Sequence, residues 1–152
     1  MRVISSIAEG LEAVGHELGV SDWHVVTQER IDAFAEATGD HQWIHVDVER
    51  AKTESPFRTT IAHGFYTLSL VPALSKSNYR VDNAKMGINY GLNKVRFLAP
   101  VPAGSRVRLR SELVDAKMVD PTTVDLTVRQ TVELDGSSKP AAVAEVIARM
   151  VF

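Results

Sequence analysis

Between residues 37 and 47 the chain reads ATGDHQWIHVD, setting two carboxylates, Asp40 and Asp47, and two imidazoles, His41 and His45, among apolar neighbours. A carboxylate and an imidazole can share the two halves of a proton transfer near neutral pH, provided the backbone brings both to one face of the reactant. A further imidazole, His63, directly precedes Gly64 in TTIAHGFYTLSL. Each of these residues also has a plain structural use. Gly39 and Asp40 can simply end a helix and start a turn, Asp47 can cap the helix begun by VERAKT, His41 can be an exposed loop histidine, and His63 can hold the turn before Gly64. His45, Asp47 and His63 have the residue types of a two-histidine, one-carboxylate iron site. That pattern needs a distant second histidine across a double-sheet barrel, and the four strands expected after His63 do not build one. No metal site is expected.

Such residues act only if the surrounding elements position them. Ser6 followed by Glu9 reads as a capping box, with Ile7, Leu11 and Val14 on one helical face until Gly15. WHVV at 23–26 is a brief strand. Thr27 then caps a helix whose Ile31, Phe34, Ala35 and Thr38 share a face and whose stop is Gly39, so Asp40 lies just past a helix end. From Gly64, GFYTLSLVPALSKS is apolar almost all round, as a helix over 64–77 surrounded by core would be, with Pro72 kinking its last part. From Met86 the period shortens to two. Met86, Ile88, Tyr90 and Leu92 alternate, but Val95 and Phe97 continue on the opposite phase, which requires a bulge near Asn93. Further strands are expected over 105–118, from Val124 to Leu134 and over 141–151, with APVPAG, DP and DGSSKP as the turns. Arg106, Arg108 and Arg110 alternate with Val107 and Leu109, so that strand is half exposed. Helices first and antiparallel strands after imply an α+β fold, one curved sheet covering one buried helix.

Composition sets the outer bounds. A chain of 152 residues with 45% hydrophobic content suits one packed domain, 1–152. The formal net charge of -2, with both signs interspersed, leaves no electrostatic footprint for nucleic acid or an anionic membrane. With no cysteine there is neither disulfide framework nor thiolate metal site, which suits a reducing interior. No run approaches the roughly 20 apolar residues of a membrane span, and MRVISSIAEGLEAVGHELG lacks the apolar core of a secretion signal. A cytoplasmic protein is expected.

In order and spacing, ATGDHQWIHVD, TTIAHGFYTLSL and NYGLNKVRFLAPV resemble the MaoC-like hydratases, the group that contains (R)-specific enoyl-CoA hydratases and nodulation-protein-N-like proteins. The resemblance covers residues 20 to 151. It implies a hot-dog fold and a homodimer acting on acyl thioesters of coenzyme A, with no separate cofactor. It also implies a catalytic dyad at Asp40 and His45, and a backbone amide at Gly64 for the thioester carbonyl. Gln42, His63, Asn89, Tyr90, Asn93 and Arg96 are the substrate-binding candidates that accompany these motifs. Where the family usually has asparagine and proline between the dyad residues, this chain has Gln42 and Trp43. Hydration of a conjugated enoyl thioester fits such a site: a base deprotonates water, an acid protonates C2, and an amide at the first turn of the buried helix meets the enolate-like oxygen. Coenzyme A also carries phosphates that need cations, for which Lys94, Arg96 and the arginines at 106, 108 and 110 are candidates. Two other readings share the substrate. A hot-dog thioesterase would carry its acidic residue on the central helix, and 64–77 contains no Asp or Glu. A non-catalytic acyl-thioester-binding protein would show no turnover.

Overall fold

The computed structural model describes residues 1–152. Its main feature is a six-stranded sheet built from β2 (Glu17–Val20), β3 (His24–Val25), β5 (Met86–Phe97), β6 (Arg106–Asp120), β7 (Thr123–Leu134) and β8 (Ala142–Val151). The order is β2-β6-β7-β8-β5, with β3 also on β6, and every pairing is antiparallel. A separate parallel pair joins β1 (Arg2–Ile4) to β4 (Tyr79–Val81). The helices are α1 (Ile7–Glu12), α2 (Gln28–Thr38), α3 (Trp43–Val46), α4 (Val48–Glu54), α5 (Gly64–Ser69) and α6 (Val71–Ser75). Helical segments on the concave side of a curved antiparallel sheet make this a hot-dog fold, as the sequence implied.

Alternation along the strands creates the two faces. Val124, Leu126, Val128 and Val132 are buried on the inner side, as are Val107, Leu109 and Leu113 of β6. Between them, Arg106, Arg108, Arg110, Arg129 and Arg149 form an ion-paired outer face with Asp135, Glu133, Glu17, Glu112 and Asp125. The inner side packs into two cores. One joins Tyr66, Leu70 and Val71 of the central helical segments to Val26, Ile31, Val101 and Leu109. The other joins Ile4, Ala13 and Leu18 to Leu113, Val124 and Leu126.

Three details correct the sequence reading. The helix expected over 64–77 is split at Leu70, because Pro72 at the start of α6 has no amide to give and its ring would crowd the carbonyl of residue 68. Nor is it surrounded by core, since Phe65 is 70% exposed. In α1, which ends at Glu12 and not at Gly15, Leu11 points outward while Gly10 and Ala13 face the core; a side chain at Gly10 would press on Leu126. The phase of β5 is the third. Its ladder slips at both Tyr90 and Asn93, so the bulge expected near Asn93 has a companion. The register sets Gly87, Asn89, Leu92, Val95 and Phe97 opposite the inward residues of β8, which turns Met86 and Ile88 outward. β5 is also an edge strand, and Met86, Ile88, Tyr90, Leu92 and Phe97 are all exposed on it.

Candidate active site

Helix α2 delivers Asp40. The Thr27 side chain accepts from the Arg30 amide at its start, and Gly39, in the left-handed conformation at φ 77°, ends it as expected. The chain then turns at Asp40, whose carboxylate accepts from the Gln42 amide at 3.3 Å. Gln42 precedes α3, a single turn that carries His45 back toward Asp40. Trp43 occupies the first position of that turn, where proline is favoured in helices generally. Its ring is covered instead by the Arg50 guanidinium, 4.3 Å from the centroid, so the departure from the family pattern leaves the turn intact. Asp47 caps α4 by accepting from the Arg50 amide at 3.0 Å, which removes it from the neighbourhood of the two histidines. His41 turns outward to Glu36. That carboxylate raises the His41 pKa above its ordinary value.

His45 is buried and held from three sides. Its Nδ1 lies 2.7 Å from the Ile61 carbonyl, which makes Nδ1 the protonated nitrogen and leaves Nε2 with a free lone pair. Its own carbonyl accepts from the Gln28 side-chain amide at 2.7 Å, and Gln28 in turn accepts from the Thr60 hydroxyl. Residues 60–62 are themselves fixed to the loop before β6: the Ala62 amide donates to Val101 and the Ala103 amide to Thr60, at 2.8 and 2.9 Å. Burial, with the neighbouring His63, lowers the His45 pKa, so the imidazole is neutral at physiological pH.

His63 completes the cluster. It is 2% exposed, its Nε2 donates to the Asp40 carbonyl at 2.9 Å, and its ring stacks on His45 with centroids 3.9 Å apart. Phe34 and Tyr66 continue the aromatic packing, Phe34 at 5.0 Å from His63 and 5.5 Å from Tyr66. The His63 Nδ1 is buried without a partner. Donor atoms of Asp40, His45 and His63 lie within 4.8 Å of one another. The carboxylate beside the paired histidines is thus Asp40, in place of the Asp47 of the iron-site pattern.

A cleft of about 260 Å³ opens at this cluster, lined by His45, Gly64, Thr67, Phe97, Leu98 and Val101 among others. Gly64 is the first residue of α5, where a helix leaves the amide without an internal acceptor, and no side chain caps it. A Cβ on Gly64 would stand 2.9 Å from the Phe97 ring, so any other residue would have to displace that wall of the cleft. The other sequence candidates are scattered. Asn89 lines a separate trough beside α6, Tyr90 lies under the Arg149 guanidinium at 3.8 Å on the outer face, Asn93 sits in the second bulge, and Arg96 is exposed near the cleft's far lip. Gln28, Thr60 and Ile61 were not anticipated; they reach His45 from 16 or 17 residues away, or through one another, and no local spacing marks them.

The hot-dog sheet thus holds a mostly apolar cleft that meets the Asp40, His45 and His63 cluster at the head of its central helical segments. Residues 10–135 match the MaoC like domain, and the chain belongs to the MaoC-like dehydratase family, which makes it an enzyme of the hydro-lyase class. It is 57% identical over 151 residues, 99% of each chain, to 3-hydroxyacyl-thioester dehydratase Z of Mycobacterium tuberculosis. Nodulation protein N of Rhizobium leguminosarum bv. viciae is 46% identical over 97% of this chain and 92% of its own. Among solved structures, the monoamine oxidase regulatory protein from Archaeoglobus fulgius superposes with a TM-score of 0.78 at 25% identity, covering 99% of this chain and 95% of that one. No helix is long and apolar enough to cross a membrane.

Proposed function

We propose that this chain is a cytoplasmic (R)-specific enoyl-CoA hydratase, adding water reversibly to trans-2-enoyl thioesters of coenzyme A to give (R)-3-hydroxyacyl thioesters, with Asp40 and His45 as its acid–base pair. The observation that carries this is the fixed tautomer of His45: with Nδ1 committed to the Ile61 carbonyl, the free lone pair of Nε2 belongs to a neutral, buried imidazole beside the Asp40 carboxylate and in the Gly64 cleft.

In the hydration direction a water molecule is held between the Asp40 carboxylate and His45 Nε2. Its proton passes to Nε2 while the hydroxide adds to C3 of the enoyl group. The electron pair of the double bond moves toward the thioester carbonyl, and the oxygen that gains charge is met by the Gly64 amide. The imidazolium, stabilised by Asp40, then returns a proton to C2 on the same face. Atoms and charge balance without a cofactor: one water is consumed and both catalytic groups end as they began. Since α5 has only six residues, the single amide carries this stabilisation, with little from a helix dipole. Delivery from one wall fixes the stereochemistry, and the motifs that resemble the R-specific group favour the R product. The absence of any carboxylate from 64–77 speaks against thioester hydrolysis.

The reading includes a homodimer. The outer edge of β5 has no strand partner; Leu92 and Phe97 are exposed on its inward phase, where Phe97 meets exposed Phe65, and Met86 and Tyr90 are exposed on its other face. An unpaired edge with this much apolar surface is an aggregation hazard unless a second copy covers it. Incubation with crotonyl-CoA tests the activity: loss of the enoyl absorbance supports a hydratase, release of free thiol means a thioesterase, and no change means a binding protein.

A further inference from the structure

Coenzyme A brings several phosphate charges to a chain whose formal net charge is -2, so the cations that remain unneutralised decide where those charges can rest. Most arginines of the outer face are already paired. Arg106 is held by Asp135, Arg108 and Arg110 by Glu133, and Arg149 by Asp125. Lys94 and Arg96 have no carboxylate partner; Arg96 donates only to the neighbouring Val95 carbonyl. Both stand on β5 on the outward phase, opposite Glu145 and Val143 in the β8 register.

These two line a pocket of about 410 Å³ together with Leu98, Arg129, Val143 and Glu145. Arg129 lies 3.7 Å from Glu145, its second carboxylate contact after Glu112 at 3.2 Å. With Glu112 behind Arg129 included, three cations meet two carboxylates at the pocket, a local excess of one positive charge on a chain that is negative as a whole. Position gives the excess a meaning. Leu98 lines this pocket and also the cleft that contains His45 and Gly64. A strand advances about 3.3 Å per residue, so Arg96 and Lys94 stand roughly 7 and 13 Å back from that shared lip.

We infer that Lys94 and Arg96, backed by Arg129, form the subsite for the phosphate groups of a coenzyme A thioester whose acyl end lies in the His45 cleft. The inference rests on the thioester reading of that cleft. The guanidinium fork suits two phosphate oxygens, and the flexible ammonium supplies a second charge without fixed geometry. A thioester lacking the nucleotide leaves the subsite empty and gains nothing from it.

The test compares crotonyl-CoA with crotonyl-pantetheine, which has the same thioester and no phosphates, in the wild-type protein, in Lys94→Gln/Arg96→Gln, and in Lys117→Gln as a control for general charge. Two solvent-accessible charge pairs, each worth a few-fold, make the kcat/KM preference for the coenzyme A substrate about tenfold. That preference collapses toward one in the double variant and persists in the control, and in the wild type it shrinks as salt is raised. A double variant that keeps the wild-type preference, or a wild type with none, overturns the subsite. Should the wild type turn over neither thioester, the hydratase reading fails separately. Calorimetric titration with adenosine 3′,5′-bisphosphate then decides the subsite alone: binding weakened about tenfold by the double variant supports it, and absent or unaltered binding overturns it.

Discussion

Replacing His63 by phenylalanine separates stability from function in a way that follows from its surroundings. His63 is 2% exposed, stacked on His45 at 3.9 Å and packed against Phe34 at 5.0 Å, so an aromatic ring of similar size keeps those contacts. What disappears is one hydrogen bond, from Nε2 to the Asp40 carbonyl, and one buried nitrogen, Nδ1, that has no partner. The lost bond costs about 0.5–1.5 kcal/mol, and the exposed Asp40 turn lets water take over the carbonyl. Removing an unsatisfied buried polar atom returns about 1–3 kcal/mol. Stability should therefore stay level or rise by about 1 kcal/mol, which for a chain of this size raises Tm by roughly 2–4 °C. Activity should move the other way. Without the His63 tether the Asp40 carboxylate is no longer fixed against His45, and an acid–base pair out of register forfeits part of the roughly 100- to 10,000-fold such catalysis contributes. A tenfold or greater fall in kcat with little change in KM is expected. The pH profile supplies a readout that a packing role alone would not move: His63 helps to lower the His45 pKa, so its loss shifts the acid limb of kcat/KM to higher pH. Melting curves and kcat/KM on crotonyl-CoA from pH 5 to 8 measure both effects. A folded variant with unchanged kcat and an unshifted acid limb would refute the positioning role, and a large drop in Tm would refute the packing argument.

Other consequences concern pH, assembly and stereochemistry. Burial lowers the pKa of both His24 and His45 below 6.5, so on acidification the unfolded chain takes up protons that the folded chain refuses. Stability contributed by these groups is complete above pH 6.5 and is lost as pH falls through their folded values, which a series of Tm measurements from pH 7.5 to 5 would register as a decline. Light scattering should give twice the chain mass at micromolar concentration, and Phe65→Lys should shift the population toward monomer; a wild-type protein that is monomeric throughout would contradict the β5 interface. Chiral analysis of the hydration product should return the R alcohol, and the S alcohol would mean that the acyl chain lies the opposite way in the cleft. His41→Gln should leave kcat/KM within a few-fold of wild type, because its ring faces Glu36 and solvent.

Features that depend on near neighbours in the chain could be read from the sequence. Thr27 and Gly39 bound α2 through contacts within one turn, so the placement of Asp40 just past the helix follows from residue types alone. The Asp47 cap of α4 and the irregularity near Asn93 are legible for the same reason. The inward phase of β5 was not, since two bulges restore the alternation that one would reverse, and only the ladder with β8 shows both. The short strands β1, β2 and β4 are three or four residues each, too brief for a period to emerge. Within the site, the family resemblance marked Asp40, His45 and Gly64, but the tautomer of His45 depends on a carbonyl at Ile61, and its backbone depends on Gln28 and Thr60. Those are tertiary contacts. They give His45 a fixed orientation beside Asp40, the arrangement the proposed acid–base role requires, and nothing in their spacing announces them.

The central claim, that Asp40 and His45 act as one proton-transfer unit, is tested most directly by kcat/KM on crotonyl-CoA for Asp40→Asn, His45→Gln and the double variant, each checked for folding by circular dichroism and melting. Both substitutions keep volume and much of the hydrogen bonding while removing proton transfer. Each single variant should stay folded and lose about 100- to 10,000-fold, and the double variant should be scarcely slower than the worse single one, because residues that share a relay are non-additive. A folded Asp40→Asn protein with near wild-type turnover, or losses that multiply in the double variant, would contradict it.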